Sequence, residues 1–286
     1  MPDGFRCPAC GQAGGWRSGR NCWTCRGCQR QTSVTASTIF ADTRSPLRTW
    51  FAAAWYVIGQ KQDVSALGLQ RVLGLGSYET AWSWLHKLRR AMVRPGRDQL
   101  FGEVEIDETY VGGPEPWAFG RRTASKSIVA IAVERRGRAR LGRVRMARVP
   151  NLAIPTMTDF VTATVERASA VRTHGLSSYR GLAVAGYDHQ AITLTAGDKP
   201  AHVAMPAVHP VISLLQRWLL GTHQGAVRPQ QLDYYLDEFT FRFNRRGASH
   251  RGLLFYRLLQ QAVAMGPVTL DQLIGGRHHN TLGSLE

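Results

Sequence analysis

Hydrophobic residues in the first third of the chain recur every three or four positions, the pattern of amphipathic helices. Residues 47–58 place Leu47, Trp50 and Ala54 on one face. Ser65 is positioned to cap a short second helix, and residues 77–92 predict a longer basic helix after a glycine-containing turn at 74–76. A short helix, a turn and a longer helix predict a helix-turn-helix DNA-binding domain over residues 43–97.

Beyond residue 98 the pattern changes to that of strands. The near-continuous apolar run at 127–134 indicates a central strand, with further strands expected at 104–111 and 141–149. Three antiparallel strands followed by helix–strand–helix–strand–helix predict an RNase H-like α/β domain, a mixed sheet with flanking helices, over residues 98–265. The later elements are expected at residues 155–165, 170–173, 177–182, 190–194, 209–220 and 230–243. Residues 266–286 are expected to form a flexible tail.

The net charge of the chain indicates the kind of partner that it binds. The chain has 36 Lys and Arg against 20 Asp and Glu, a formal net charge of +16, which favours double-stranded DNA as partner. Almost all of these basic residues are arginine rather than lysine. A GC-rich genome would explain that preference but not the positive sign of the net charge. No apolar run is long enough to span a membrane, and the first residues lack the apolar core of a signal peptide. We therefore expect a cytoplasmic, nucleoid-associated protein.

All five cysteines lie between residues 7 and 28, in two Cys-x-x-Cys pairs plus Cys22. Four thiolates at this spacing can close a tetrahedral zinc site and hold together a segment too small for its own core. The sequence therefore predicts a structural zinc ribbon over residues 1–42, rather than a redox pair. The expected ligands are Cys7, Cys10, Cys25 and Cys28, with Cys22 in place of Cys25 as the minor alternative.

Two adjacent carboxylates, Asp107 and Glu108, interrupt a run of β-forming residues. An acid on a central strand is costly unless it is paired or holds a metal, whereas an acid on an edge strand is solvated. Because neighbouring residues on a strand point to opposite faces, only one of the two is expected on a given face of the sheet.

Basic and aromatic side chains near these elements are candidate DNA contacts, with a solvated basic face as the alternative. They are Arg20, Arg26, Tyr78, Lys87, Arg89, Arg90, Arg121, Arg122, Arg242, Arg245 and Arg246.

Several longer motifs give the chain a resemblance to a known family. From about residue 7 to residue 263 it resembles bacterial insertion-sequence transposases of the DDE superfamily, in the ISXO-like group with an N-terminal zinc ribbon. The resemblance implies a homo-oligomer on DNA that binds terminal inverted repeats and cuts and joins strands by 3′-hydroxyl attack. The motifs are the two cysteine pairs, residues 31–33 and 37–40, residues 73–82, the strand at 104–111, residues 173–179, residues 218–223 and residues 235–246.

The resemblance also implies a metal site for Mg²⁺ or Mn²⁺. Asp107 stands at the first carboxylate of the family pattern, but His174 stands at the second and His209 at the third. Gln216 occupies the place of a lysine. Imidazole suits Mn²⁺ or Zn²⁺ better than Mg²⁺, so the departures weaken the expected Mg²⁺ site.

Three interpretations follow from these departures. The first is an active transposase, and the second is a degenerate transposase-derived DNA-binding protein, acting as a repressor or decayed copy. A plain zinc-ribbon transcription factor leaves the acidic strand unexplained. Glu238 is either recruited as a third acid or, as we favour, paired with Arg242 four residues later.

Overall fold

The structure, a computed structural model, describes residues 4–19, 22–94, 96–113, 125–137, 140–192, 201–223 and 227–276. Of the candidate DNA contacts, Arg20, Arg121 and Arg122 lie outside these ranges. None of the described helices is long and apolar enough to cross a membrane.

Strands form two sheets and helices surround the larger one. The strands are β1 (Gly15–Arg17), β2 (Cys22–Cys25), β3 (Gln31–Ser33), β4 (Glu103–Val111), β5 (Ser127–Arg136), β6 (Arg140–Val149), β7 (Ala170–His174) and β8 (Asp188–Ile192). The helices are α1 (Leu47–Gly59), α2 (Ala66–Leu73), α3 (Tyr78–Arg90), α4 (Ile154–Thr164), α5 (Gly181–Val184), α6 (Ala201–Ala204), α7 (Val208–His223), α8 (Leu232–Asn244), α9 (Arg251–Ala264) and α10 (Leu270–Ile274).

The N-terminal segment is a small antiparallel sheet of β1, β2 and β3. Its apolar core consists of Phe5, Cys7 and Cys25, with Trp23 stacked on Phe5 at a centroid distance of 5.4 Å. A core this small gives little hydrophobic stabilisation, so the fold of this segment depends on an additional cross-link.

Helices α1, α2 and α3 form a helical head around Trp50 and Trp84, whose rings stack at 3.8 Å. The Ser65 hydroxyl accepts from the Gly68 amide and caps α2 as predicted. Gly74 ends α2 at φ 62°, a left-handed conformation that costs glycine little. The turn then leads into α3, so the predicted order of short helix, turn and longer helix is present.

The head is completed by a helix from the far end of the chain, which the sequence analysis missed. Leu258 and Ala262 of α9 are buried in the same core as α1. The expected tail is also wrong in its first part, because α10 is a helix with a capping box at Thr269 and a buried Leu273. Residues 277–286 lie outside the described ranges.

The large sheet has the strand order β6-β5-β4-β7-β8. Strands β4, β5 and β6 are antiparallel neighbours, while β7 runs parallel to β4 and β8 runs parallel to β7. One face packs on α7 and α8, and the other packs on α4. This mixed sheet with flanking helices fits the predicted RNase H-like architecture, and β4 is its central strand rather than an edge.

Edge strand β6 is covered by the end of α8. The Asn244 amide donates to the Val144 carbonyl at 3.1 Å and accepts from the Val144 amide at 2.7 Å, so it satisfies both outward groups. Arg145 on the same strand is 5% exposed.

A buried network of charges joins the head to the sheet domain. Arg89 of α3 donates to Glu238 of α8 at 2.7 Å and to Asp63 at 3.1 Å, and Arg242 donates to Glu238 at 2.6 Å. His223, at the end of α7, contacts Asp63. Burial raises the pKa of Asp63, but Arg89 and His223 outweigh it and hold that pKa well below its usual range.

Candidate active site

The face of β4 that packs on α7 carries a polar row of Glu105, Asp107 and Thr109. Alternate residues share a face of a strand, so these three side chains follow each other along one line. Thr109 meets α7 through its hydroxyl, which accepts from the Gln216 amide at 3.0 Å. Each member of the row therefore has a partner on or just before α7.

Glu105 fixes the start of α7. Its carboxylate accepts from the backbone amides of Ala207 at 2.7 Å and Val208 at 3.0 Å. These amides belong to the first turn, where a helix has no internal acceptor, and a negative charge there is favoured by the helix dipole. Glu105 thus positions the next residue, His209, against the neighbouring part of β4. Sequence analysis missed this role, although Glu105 lies two residues before Asp107.

Asp107 lies between two histidines from different elements. Its Oδ1 is 2.9 Å from Nδ1 of His174, which ends β7, and its Oδ2 is 3.6 Å from Nδ1 of His209. Asp107 is 8% exposed. The structure therefore brings together the three residues that the sequence analysis singled out.

Glu108 also reaches this cluster, contrary to the expectation that it would point away. Its Oε1 is 3.4 Å from Nε2 of His174, and its Oε2 accepts from the Tyr179 hydroxyl at 3.0 Å. The imidazole stands at the end of β7 and spans from one face of β4 to the other, which is why adjacent residues of β4 both contact it. Tyr179 is a further site residue that the spacing alone did not reveal.

The charges of the cluster are matched to a cation. Burial by itself lowers the pKa of His174. The contacts with Asp107 and Glu108 outweigh burial and raise the pKa of His174 to about 9. The ligand atoms of Asp107, Glu108 and His174 lie within 4.8 Å of one another. Two carboxylates with imidazole donors fit Mn²⁺ or Zn²⁺, and they fit Mg²⁺ less well because Mg²⁺ prefers oxygen ligands.

The four predicted thiols form a second cluster in the small N-terminal sheet. The sulfur atoms of Cys7 and Cys28 are 3.6 Å apart, as are those of Cys10 and Cys25. A tetrahedral ion with Zn–S bonds of about 2.3 Å requires sulfur separations of about 3.8 Å, so the four thiols can bind zinc. Backbone hydrogen bonding at Cys10 lowers the pKa of Cys7 to about 6, which favours the thiolate. Cys22 is not part of the cluster.

Two of the predicted DNA contacts have their side chains in the buried network. Arg89 is 2% exposed and is held by Asp63 and Glu238. Arg242 donates to Glu238 and to the carbonyls of Val57 and Gln60. Glu238 is accordingly paired with arginine, as we favoured, and lies away from the Asp107 cluster.

The other described candidates divide by exposure. Tyr78 is 54% exposed at the start of α3, and Arg26 is exposed in the small sheet. Arg90 donates to the Gly266 carbonyl, Lys87 is half-buried, and Arg246 is exposed and donates to carbonyls at the start of β6. Arg245 lies over the Phe241 ring at 4.2 Å.

A mixed five-stranded sheet with flanking helices and an acidic cluster on its central strand fits a transposase domain of the RNase H-like class. The sequence model of the ISXO2-like transposase domain family matches residues 99–244. The chain therefore belongs to this family, and the resemblance stated from its motifs is confirmed.

Comparison with curated proteins finds no match. Among solved structures, a cryo-EM structure of the simian T-cell lymphotropic virus intasome in complex with PP2A regulatory subunit B56 gamma is similar over 65% of this chain and 70% of that chain. The identity is 12% and the TM-score is 0.34.

Proposed function

We propose that the protein is a DNA transposase that binds the terminal inverted repeats of an insertion sequence and cuts and joins strands in a metal-dependent reaction. The observation that carries this proposal is the 2.9 Å contact between Asp107 on the central strand and His174 on its parallel neighbour, with His209 beside them. The resemblance to the family implies that these three residues stand at its metal-ligand positions. The proposed partner is double-stranded DNA, bound by a homo-oligomer.

Asp107, Glu108 and His174 would hold the catalytic ion, with His209 as a further ligand. A divalent ion here would lower the pKa of the attacking hydroxyl and stabilise the leaving oxygen of the phosphodiester. The residues around the cluster do the positioning: Tyr179 orients Glu108, and Glu105 holds the start of the helix that carries His209. The donor set supports a preference for Mn²⁺ over Mg²⁺.

DNA binding is assigned to the head and the small N-terminal sheet. The exposed first turn of α3, with Tyr78, has the place that enters the major groove in helix-turn-helix proteins. Zinc bound by Cys7, Cys10, Cys25 and Cys28 would hold Arg26 on the surface of the small sheet.

A second candidate is supported by the same histidine. Both ring nitrogens of His174 face carboxylates, so a protonated His174 would supply the positive charge that a metal otherwise supplies. In that case the protein binds DNA without cutting it, as a degenerate transposase.

Cleavage of duplexes made from the DNA that flanks the coding sequence, in Mg²⁺ and in Mn²⁺, separates the two candidates. A transposase gives nicked and joined products, and it gives more of them in Mn²⁺ than in Mg²⁺. Asp107→Asn is expected to abolish these products. The control variant Asp188→Asn, which changes an exposed carboxylate at the start of β8, is expected to retain them. Binding without products in either ion identifies the degenerate protein. Activity equal in Asp107→Asn and wild type would show that the site is elsewhere. In the degenerate case, His174→Asp combined with Gln216→Lys is expected to restore cleavage in Mg²⁺.

A further inference from the structure

Arginine side chains from separate elements converge on a cleft at edge strand β6. The cleft is a cavity of about 300 Å³, and β5 separates β6 from the central strand that carries Asp107. We call it the arginine cleft. Its charged lining consists of Arg94 and Arg97 after α3, Arg143 and Arg145 on β6, Arg245 after α8, and Asp98.

A second cavity of about 640 Å³ at α9 shares lining residues with the arginine cleft. Arg94 and Arg245 line both cavities, and Arg257 of α9 is added in the second. Six arginines therefore line two cavities that share Arg94 and Arg245, so more than one phosphate group can find a guanidinium partner there.

Positive charge in the cleft exceeds the negative charge nearby. The carboxylates that act on its arginines are Asp98, Glu134 and Asp237. Glu134 is occupied by Arg143, which donates to it at 2.8 Å. Five guanidinium groups against three carboxylates leave an excess of two positive charges, before Arg257 is counted.

The arginines also repel one another. Burial, followed by the charges of Arg97 and Arg143, lowers the pKa of Arg145 to about 9. Burial and the charge of Arg257 lower the pKa of Arg245 in the same direction. Repulsion of this kind destabilises the protein by itself, and an anion between the guanidinium groups relieves it.

Two of the arginines in the cleft already use side-chain donors within the protein. Arg143 donates to Glu134 and to the Gln99 carbonyl, and Arg145 donates to the Val144 and Asp98 carbonyls. The other guanidinium groups are the ones that can donate to such an anion. Within the described residues, Arg97 and Arg245 donate no side-chain hydrogen bond, and a guanidinium carries five N–H donors. The Arg245 Cζ atom lies 4.2 Å from the centroid of the Phe241 ring, a cation–π contact that holds the guanidinium beside the cleft. Phe241 is itself 3% exposed, so nucleic-acid bases cannot stack on its ring.

We propose that the arginine cleft binds phosphodiester groups of the DNA backbone, away from the site of chemistry and without reading bases. The inference rests on the proposed DNA partner, and it adds a sequence-independent contact surface formed jointly by the head, β6 and α9. A small oligophosphate shares the same chemistry and is the competing source.

The test is the salt dependence of binding to random-sequence duplex DNA, measured by fluorescence anisotropy on the full chain. The slope of log K against log salt is about −0.9 per phosphate contact, so Arg94→Gln/Arg245→Gln is expected to reduce its magnitude by about 2. The single variant Arg94→Gln, at a more exposed position, is expected to reduce the magnitude of the slope by about 1. This single variant provides the test if the double variant does not fold. Arg167→Gln, an exposed arginine outside both cavities, is the matched control and keeps the wild-type slope.

A second arm measures thermal stabilisation by tripolyphosphate. If the double variant loses that stabilisation but keeps the wild-type DNA slope, the cleft is an oligophosphate site and the DNA assignment is overturned. An unchanged slope with unchanged tripolyphosphate stabilisation overturns the site altogether. Binding needs no cleavage, so a reduced slope in a protein that never cuts DNA would support the cleft while refuting the proposed transposase activity.

Discussion

The charge network between the head and the sheet domain predicts that Arg89→Met destabilises the protein strongly. Arg89 and its partners Asp63 and Glu238 have side-chain exposures of 2%, 0% and 0%. Methionine replaces the aliphatic part of Arg89 with an unbranched apolar side chain but lacks the guanidinium. The buried carboxylates of Asp63 and Glu238 therefore lose one of the positive charges that compensate them. Breaking a buried ion pair by removing one partner costs about 3–5 kcal/mol.

The magnitude is large compared with a typical domain stability of about 5–15 kcal/mol. With a urea slope of about 2–3 kcal/mol per molar, the unfolding midpoint should fall by roughly 1–2.5 M. Urea titration followed by tryptophan fluorescence measures this, since Trp50 and Trp84 report on the head. Arg90→Met is the control, because Arg90 is half-buried and donates to a carbonyl rather than to a carboxylate.

Two outcomes would refute this reasoning. One is a loss of unfolding free energy in Arg89→Met that matches the loss in Arg90→Met within about 0.5 kcal/mol, the usual range for surface substitutions. The other is a reduced salt slope of DNA binding in folded Arg89→Met, which would return Arg89 to the DNA surface. Adding Glu238→Gln to Arg89→Met should recover part of the stability, because it removes one of the unpaired charges.

Three further predictions concern the site and the small sheet. Glu105→Gln should loosen the start of α7, which lowers cleavage activity and raises amide hydrogen exchange at residues 207–209, whereas Glu103→Gln on the exposed end of β4 should change neither. Metal analysis should find that Cys28→Ser loses one zinc per chain relative to wild type, together with the β1–β3 sheet, while Cys22→Ser retains both. Burial raises the pKa of Glu134, but hydrogen bonds from Arg143 lower it overall, so its stabilisation should be present above about pH 4 and lost as pH falls through the depressed pKa. Urea titrations of Glu134→Gln and wild type should therefore differ at pH 7 and converge at low pH, and a constant difference would contradict this.

Local signals in the sequence predicted most of the elements. The apolar run of β5 identified a strand buried on both faces, and the Ser65 cap with the Gly74 turn located α2. Helix α9 carries the same type of signal in Leu254, Leu258 and Ala262, four residues apart, and could have been found. Strand β8 begins at Asp188, two residues before the predicted start, because its pairing with β7 rather than its own hydrophobicity sets its position.

Contacts between distant parts of the chain were the part that could not be predicted. Basic residues on α3 looked like a DNA-facing surface, but Glu238 lies 149 residues later in the sequence and brings Arg89 into the interior. The alternation rule separated Asp107 from Glu108, yet an imidazole at the end of the next strand is long enough to contact both. Such pairings depend on the tertiary fold, which residue spacing does not encode.

The completion of the head by α9 determines when the head can fold during synthesis of the chain. Because chains fold from the N-terminus as they are made, the head cannot close its core until the whole transposase domain has been translated. A chain that stops after residue 244 would leave the α9-facing surface of α1 exposed to water, including Trp55, which packs on Phe255. Prematurely terminated copies would thus carry an unfinished head core whose apolar surface favours aggregation.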